Sequence, residues 1–394
     1  MRSFELPVGV HHLHEDVSLD FQLNRLVGLG GGRLEDVRKV APRIRDLYDW
    51  KREFLALAEE ALSEDRTQHA AAYLRAAEFF MAKGDPDKAA AYERQTKLFQ
   101  EIYADDFATG RVRTEEVPYQ GGHLPAWHLA VPDEVKSKGT IVVHGGFDSY
   151  AEELYALMRC IPEAGYDTLL FEGPGQGGVI RRQGIPFTTQ WERPVAAVLD
   201  HFALSDVTLL GISLGGYLAP RAAAFEPRIQ RVIAFDVCWD MLDAALSTRP
   251  PLLRLFLRTL LTLRADSLLD RLARRQMAND PLMRWGIEHG TYVMAVERPS
   301  KYLRRLGEFT TRHISSRITQ DFLLLAGNAD HYMPIEHCHR QARALRNVRS
   351  FTGRIFTAEE SAHTHCQIGN LGLALRVMLD WVDERTESRA RLGG

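Results

Sequence analysis

The sequence predicts an α/β fold, a mostly parallel sheet flanked by helices, preceded by an N-terminal helical segment and interrupted by a helical cap insertion. Three observations carry this. From about residue 111 onward, short runs rich in Val, Ile and Leu and apolar on both faces alternate with helical stretches, as strands do when helices cover both faces of their sheet. Several of these runs end in glycine-containing loops. Ahead of them the chain has no strand texture and repeats its apolar residues at intervals of three and four.

Residues 1–110 read as a helical lid or cap segment. "VRKVAPRIRDLYDWKREFLALAEEAL" and "TQHAAAYLRAAEFFMAKG" carry the helical period, and "KGDPDKAAAYERQTKLFQEIYADDF" reopens a helix after Asp85-Pro86. The alanine-rich pair around Gly84 resembles a tetratricopeptide unit, but no repeat at a fixed period accompanies it. From Arg111, "VRTEEVPYQGGHLPAWHLAV" alternates like two strands about a Gly-Gly turn. "GTIVVHGGFDS", "YDTLLFEGPGQG", "DVTLLGISLGG", "IQRVIAFDVCWD" and "QDFLLLAGNADHYMP" continue as buried strands, with helices in "WERPVAAVLDHFAL", "GYLAPRAAAFEP" and "IEHCHRQARAL". These define a core of residues 111–240 and 318–394, while 241–317, with apolar and Arg-rich helical segments, is the cap insertion.

Bulk composition narrows the partners. The chain of 394 residues has 49 Lys and Arg against 52 Asp and Glu, a formal net charge of -3 mixed along its length. It offers no basic field for a phosphate backbone, so nucleic acid is not an expected partner. Cys160, Cys238, Cys338 and Cys366 are far apart and form no CxxC pair, which fits free thiols in a reducing compartment and predicts a cytoplasmic protein. The N-terminus lacks an apolar signal core, and no apolar run approaches the roughly 18 residues a membrane span needs, so no membrane partner is expected. A small-molecule substrate is.

Gly211-Ile212-Ser213-Leu214-Gly215 satisfies G-x-S-x-G between the strand "VTLL" and the helix "GYLAPRAAAF". That context is the nucleophile elbow, a tight strand-to-helix turn that lifts a serine hydroxyl above a sheet. A serine hydroxyl attacks well only when a base takes its proton and an acid holds that base in the right tautomer. In this arrangement the chain order is Ser, then Asp or Glu, then His. Asp330 in "GNADHYMP" follows an apolar strand; "GRIFTAEESAHTHCQIGN" offers His363 and His365, of which His365 is favoured although the spacing does not decide. For the oxyanion, the Leu214 amide and that of Gly146 or Phe147 in "TIVVHGGFDS" are the expected donors, each worth about 2.7 to 4 kcal/mol when well aimed. His144 either shapes that loop or touches substrate. No cofactor and no metal is called for by this chemistry.

Other motifs have milder readings. "HHLHED", His11 to Asp16, has metal-ligand residue types without a second cluster, and a capping or lid role fits it better. Of His331, His337 and His339, the last two do not share one helix face as a ligand pair, and surface or packing roles fit them better. "EGPGQGG" lacks the Lys-Ser/Thr of a phosphate loop and reads as a loop near the active-site rim.

Taken together, "GISLGGYLAPRAAAFEPRI", "HGGFDSYAEELY", "FEGPGQG", "GNADHYMP" and "EESAHTHCQIGN" resemble the α/β-hydrolase group that contains 2,6-dihydroxypseudooxynicotine hydrolase and the fungal hydrolases that shorten heptaketide pigment precursors. The resemblance spans roughly residues 12–385. It implies an α/β-hydrolase fold, His365 before Cys366 as the base, a homodimer, and cleavage of a carbon-carbon bond beside a ketone in an aromatic or polyketide-like molecule. His363 and Thr364 depart from the small or acidic residues more usual there. The group also uses an acidic residue near the sheet edge to bind or polarise substrate, and Asp236, Asp240 and Asp243 in "FDVCWDMLD" are the candidates. The same triad would serve an ester, a thioester or an acyl transfer. A retired hydrolase fold acting as a binding protein is the alternative of a different class.

Overall fold

The Val/Ile/Leu runs form an eight-stranded sheet in the computed structural model, which describes residues 4–393, with side chains to residue 388. The strands are β1 (Val112–Tyr119), β2 (Gly122–Leu129), β3 (Thr140–His144), β4 (Asp167–Phe171), β5 (Val207–Ile212), β6 (Ile229–Phe235), β7 (Asp321–Gly327) and β8 (Ser350–Phe356). Their order across the sheet is β1-β2-β4-β3-β5-β6-β7-β8, antiparallel up to the β2/β4 pair and parallel from β4 onward. The mostly parallel sheet expected from the sequence is therefore present. Every residue of β5 and β7 is buried, which is why those strands read as unbroken apolar runs rather than alternating ones.

Local chemistry explains the rest. In the β1/β2 hairpin Tyr119 pairs with Gly122 across Gln120 and Gly121, both at positive φ (49° and 80°), the pattern of a two-residue primed turn. The helices Glu192–His201, Gly215–Ala223 and Ile335–Ala344 occupy the stretches the periodicity predicts. The chain passes from β3 outward to β4 and then crosses to β5 on the other side of β3. At such a reversal, neighbouring parallel strands send their following loops in opposite directions and leave a crevice at their C-terminal ends. The loops after β3 and β5 border it.

The chain divides into two compact units: Met1–Val8, Phe107–Ser247 and Leu306–Gly394, which hold the sheet, and Gly9–Asp106 with Thr248–Arg305, which is helical. The N-terminal helices and most of the insertion thus share one unit. Its core gathers Trp50, Phe54, Tyr73, Phe79 and Phe80, with Trp285 from the insertion packed against them. Trp50 is 1% exposed, its indole N–H donates to the Ala76 carbonyl at 2.7 Å, and its ring meets Phe80 edge-on at 5.0 Å. We expect Trp50→Ala to cost about 3–5 kcal/mol in urea unfolding of the full chain; a loss below about 1 kcal/mol would remove this residue from the core.

Two sequence motifs take definite form here. The run "VRKVAPRIRDLYDW" is broken into Leu34–Val40, a 3-10 turn Ala41–Arg43 and Leu47–Ser63: Pro42 supplies no N–H to continue the helical ladder, Ile44 is extended, and Asp46 caps the next helix by accepting from the Asp49 amide. The "HHLHED" cluster caps a helix: Asp16 accepts from the amides of Ser18 and Leu19, and its own amide donates to His14 Nδ1 at 2.9 Å. Among the described residues no helix is long and apolar enough to cross a membrane.

Candidate active site

Ser213 stands between β5 and the helix Gly215–Ala223 with φ at 63°, a left-handed conformation uncommon for a residue with a Cβ. The surroundings hold it there. Its amide donates to the Phe235 carbonyl at the end of β6 at 2.6 Å, so the elbow is stitched to the next strand. Gly216 permits the approach: a Cβ there would lie 1.7 Å from the Asp236 carbonyl oxygen.

Three side chains from three loops converge at this turn. His365 Nδ1 lies 2.6 Å from Asp330 Oδ2, and His365 Nε2 lies 2.8 Å from Ser213 Oγ. With the carboxylate accepting from Nδ1–H, Nε2 is left to accept from the serine hydroxyl. Asp330 follows β7, and its Oδ1 accepts from the amides of Tyr332 (2.7 Å) and Met333 (3.0 Å). Its side chain is 1% exposed. Burial pushes the Asp330 carboxyl up, but His365 and the two amides hold it below the usual carboxylate range. For His365 burial pulls downward, and the Asp330 charge more than offsets it, leaving the imidazole well above its ordinary value. The Tyr332 ring meets the imidazole edge-on at 5.2 Å.

His363 sits elsewhere. Its carbonyl accepts from the Ala329 amide at 2.9 Å and covers Gly327, where a Cβ would come 2.3 Å from it. The structure brings His365, not His363, to Ser213.

The loop after β3 lies against the elbow. A Cβ on Gly146 would be 2.8 Å from Ser213 Cβ and 2.9 Å from the Leu214 amide nitrogen. The Gly146 amide itself donates to Ser149 Oγ at 3.1 Å, which commits it to its own loop. Phe147 stacks on Phe187 at 5.9 Å. Gln176, from the "EGPGQGG" loop, donates to the carbonyls of Gly145 (2.7 Å) and Gly146 (3.0 Å) from a buried position. Sequence reasoning placed that loop near the rim without finding this residue; a lone amide side chain inside a glycine run is the signal it left.

The structure places the expected substrate-contact candidates as follows. His144 is 0% exposed, sealed between Phe171 and Trp191 with Nδ1 on the Gly145 carbonyl, and burial pushes its pKa down to about 4 against that hydrogen bond. It is a neutral brace for the loop. Asp240 caps the helix Met241–Leu246 through the Asp243 amide at 2.8 Å and faces Arg312 at 3.7 Å. Asp236, also fully buried, turns towards Asp330 and His365; Asp236, Asp330 and His365 have ligand-type atoms all within 4.8 Å of one another. Both ring nitrogens of His365 already have hydrogen-bond partners, so this group reads as paired carboxyls around a histidine rather than a metal cage. Asp243 is held by Arg340 at 2.8 Å and His337 at 3.3 Å.

Comparison with known proteins agrees with the fold. The chain is 28% identical to Hydrolase acrC of Aspergillus aculeatus, over 91% of this chain and 93% of that protein. It is 27% identical to 20-hydroxy-prefusarin hydrolase FUS2 of Gibberella moniliformis, over 95% of this chain and 98% of that one. The crystal structure of 2,6-dihydroxy-pseudo-oxynicotine hydrolase superposes with a TM-score of 0.61 at 21% identity, covering 91% of this chain and 94% of that one, a likeness of fold. Residues 141–367, more than half of the chain and including the Ser213 elbow, Asp330 and His365, match the Alpha/beta hydrolase family, and the chain belongs to that family.

Proposed function

We propose that the protein is a serine hydrolase that cleaves a carbon-carbon bond beside a ketone, in an aromatic or polyketide-like 1,3-dicarbonyl, through an acyl-enzyme. The observation that carries the serine chemistry is the continuous series Asp330 Oδ2, His365 and Ser213 Oγ, at 2.6 and 2.8 Å. Ser213 Oγ adds to a carbonyl carbon as its proton passes to His365 Nε2, and Asp330 stabilises the imidazolium. The amides of Leu214 and Phe147 receive the oxyanion. Collapse breaks the bond to the carbon between the two carbonyls, whose electron pair leaves as an enolate, and His365 returns the proton to that carbon. Water, deprotonated by His365, then frees the acyl group as a carboxylic acid. The net change is one water consumed per bond cleaved, with no redox step.

The motif resemblance supports the carbon-carbon reaction, and the likeness to a protein named for acting on 20-hydroxy-prefusarin supports a small-molecule substrate. Cytoplasmic residence belongs to the same reading and is supported by four free cysteines. An ester would pass through the same steps with an easier leaving group. Mass-spectrometric product analysis with an aryl 1,3-diketone and a matched aryl ester separates the two: serine-dependent cleavage of the diketone is expected, and cleavage of the ester alone would make this an esterase.

The pH profile follows from the site. The base must be neutral to take the serine proton, and Asp330 holds His365 above the ordinary 6.5 after burial has pulled it down. The rate is therefore expected to fall as pH drops through a value above 6.5. An acid limb centred clearly below that would mean that His365 does not feel Asp330.

A further inference from the structure

Two carboxyls end adjacent strands of the sheet. Asp236 directly follows β6, Asp330 lies in the loop after β7, and β6 and β7 pair in parallel. Both side chains are buried, and an oxygen of each lies within 4.8 Å of the other and of a His365 ring nitrogen. The Asp236 oxygens also have partners of their own: Oδ1 accepts from the Val237 amide at 2.7 Å, and Oδ2 faces Gln367 Nε2 at 3.3 Å. None of the steps above uses Asp236, and neither of these partners carries a full positive charge.

Like charges this close in a water-poor site do not both ionise. His365 decides which one does, since it sits 2.6 Å from Asp330. The thiols of Cys238, Cys338 and Cys366 are near enough to feel the Asp236 charge, and burial pushes each of them up and keeps it neutral. The proton of the pair thus stays on Asp236, whose carboxyl burial and then the Asp330 charge hold well above the usual range.

We propose that Asp236 is a positioning residue: it carries the proton of a carboxyl-carboxylate pair with Asp330, and it supplies the negative charge beside His365 when Asp330 cannot. This rests on the serine-hydrolase reading. In the resting protein it keeps one charge, not two, behind the imidazole. In an Asp330→Asn protein, Asp236 loses its proton to solvent and becomes the carboxylate that stabilises the imidazolium.

The experiment is the rate at which an alkyl fluorophosphonate labels Ser213, which needs no knowledge of the substrate. Four proteins are compared: unaltered, Asp236→Asn, Asp330→Asn and the double variant. Where a triad has a lone acid, its amide variant loses about 10⁴-fold. Here Asp330→Asn is expected to lose about 10²-fold, and adding Asp236→Asn to cost about tenfold or more beyond that, against about threefold in the unaltered background, a coupling that additive structural damage does not produce. Equal labelling of Asp330→Asn and the double variant, within about twofold, would overturn the proposal. Should the double variant not fold, the low-field Nδ1–H proton resonance of His365 in Asp330→Asn alone decides: retained with Asp236 as its acceptor, lost otherwise. Failure of the unaltered protein to label at all would sink the serine reading itself, and is thereby told apart from failure of the Asp236 role.

Discussion

Ser213→Ala is expected to lower turnover of any cleaved substrate by about 10⁶-fold, the scale of loss when the nucleophile of such a unit is removed. The substitution deletes Oγ and its 2.8 Å contact with His365 and little else, since the backbone turn is held by the Ser213 amide on the Phe235 carbonyl and by the close seat of Gly216. Stability should therefore stay within about 1 kcal/mol of the parent. Rate and thermal unfolding measured on the same preparation check both halves. Residual turnover above about one per cent, with the fold intact, would mean that Ser213 does not form the acyl-enzyme and would return the site to general acid-base chemistry on a bound water.

Gly216→Ala tests the elbow as a device rather than as a residue. The added methyl would enter at 1.7 Å from the Asp236 carbonyl oxygen and 2.8 Å from the Cys238 amide nitrogen, both backbone atoms of the segment leaving β6. Neither can rotate away, so either the elbow helix or the end of β6 must shift. Overpacking of this kind costs about 1–3 kcal/mol and at times more. A displacement near 1 Å at the nucleophile costs about 10²-fold in rate. We expect both, read as a lowered unfolding midpoint and slowed fluorophosphonate labelling. Gly286→Ala is the control: a methyl added to this helical glycine would meet nothing within 4 Å, so the change should be neutral or stabilising by up to about 1 kcal/mol. Similar behaviour of the two variants would show that the close seat of Gly216 is not what holds the elbow.

What the sequence determined by itself was local or periodic. The strands of the parallel sheet were legible because a strand buried on both faces must be apolar throughout, and the hairpin because a Gly-Gly pair marks a turn, although the turn itself falls on Gln120 and Gly121, with Gly122 opening β2. Ser213 was legible because the strand, the turn and the helix that hold it are contiguous in the chain. Chain order alone pointed to Asp330 and to a histidine of the pair His363 and His365, but the choice between those two, two residues apart, was not a local matter. The fold decides it: His365 Nε2 comes to Ser213 Oγ, while the carbonyl of His363 faces Gly327.

The tertiary structure alone decided the roles of the polar residues around the elbow. Asp236, Asp240 and Asp243 lie close together in sequence, but one faces the Asp330-His365 pair, one caps a helix and one is held by Arg340 and His337. Gln176, unremarkable in its glycine run, braces the loop beside Leu214. The grouping of the N-terminal helices with Thr248–Arg305 was hidden for the same reason. Periodicity shows that a helix has an apolar face but not which distant face covers it, and residue type shows that a carboxyl can take a proton but not which neighbour, brought close by strand order, decides whether it does.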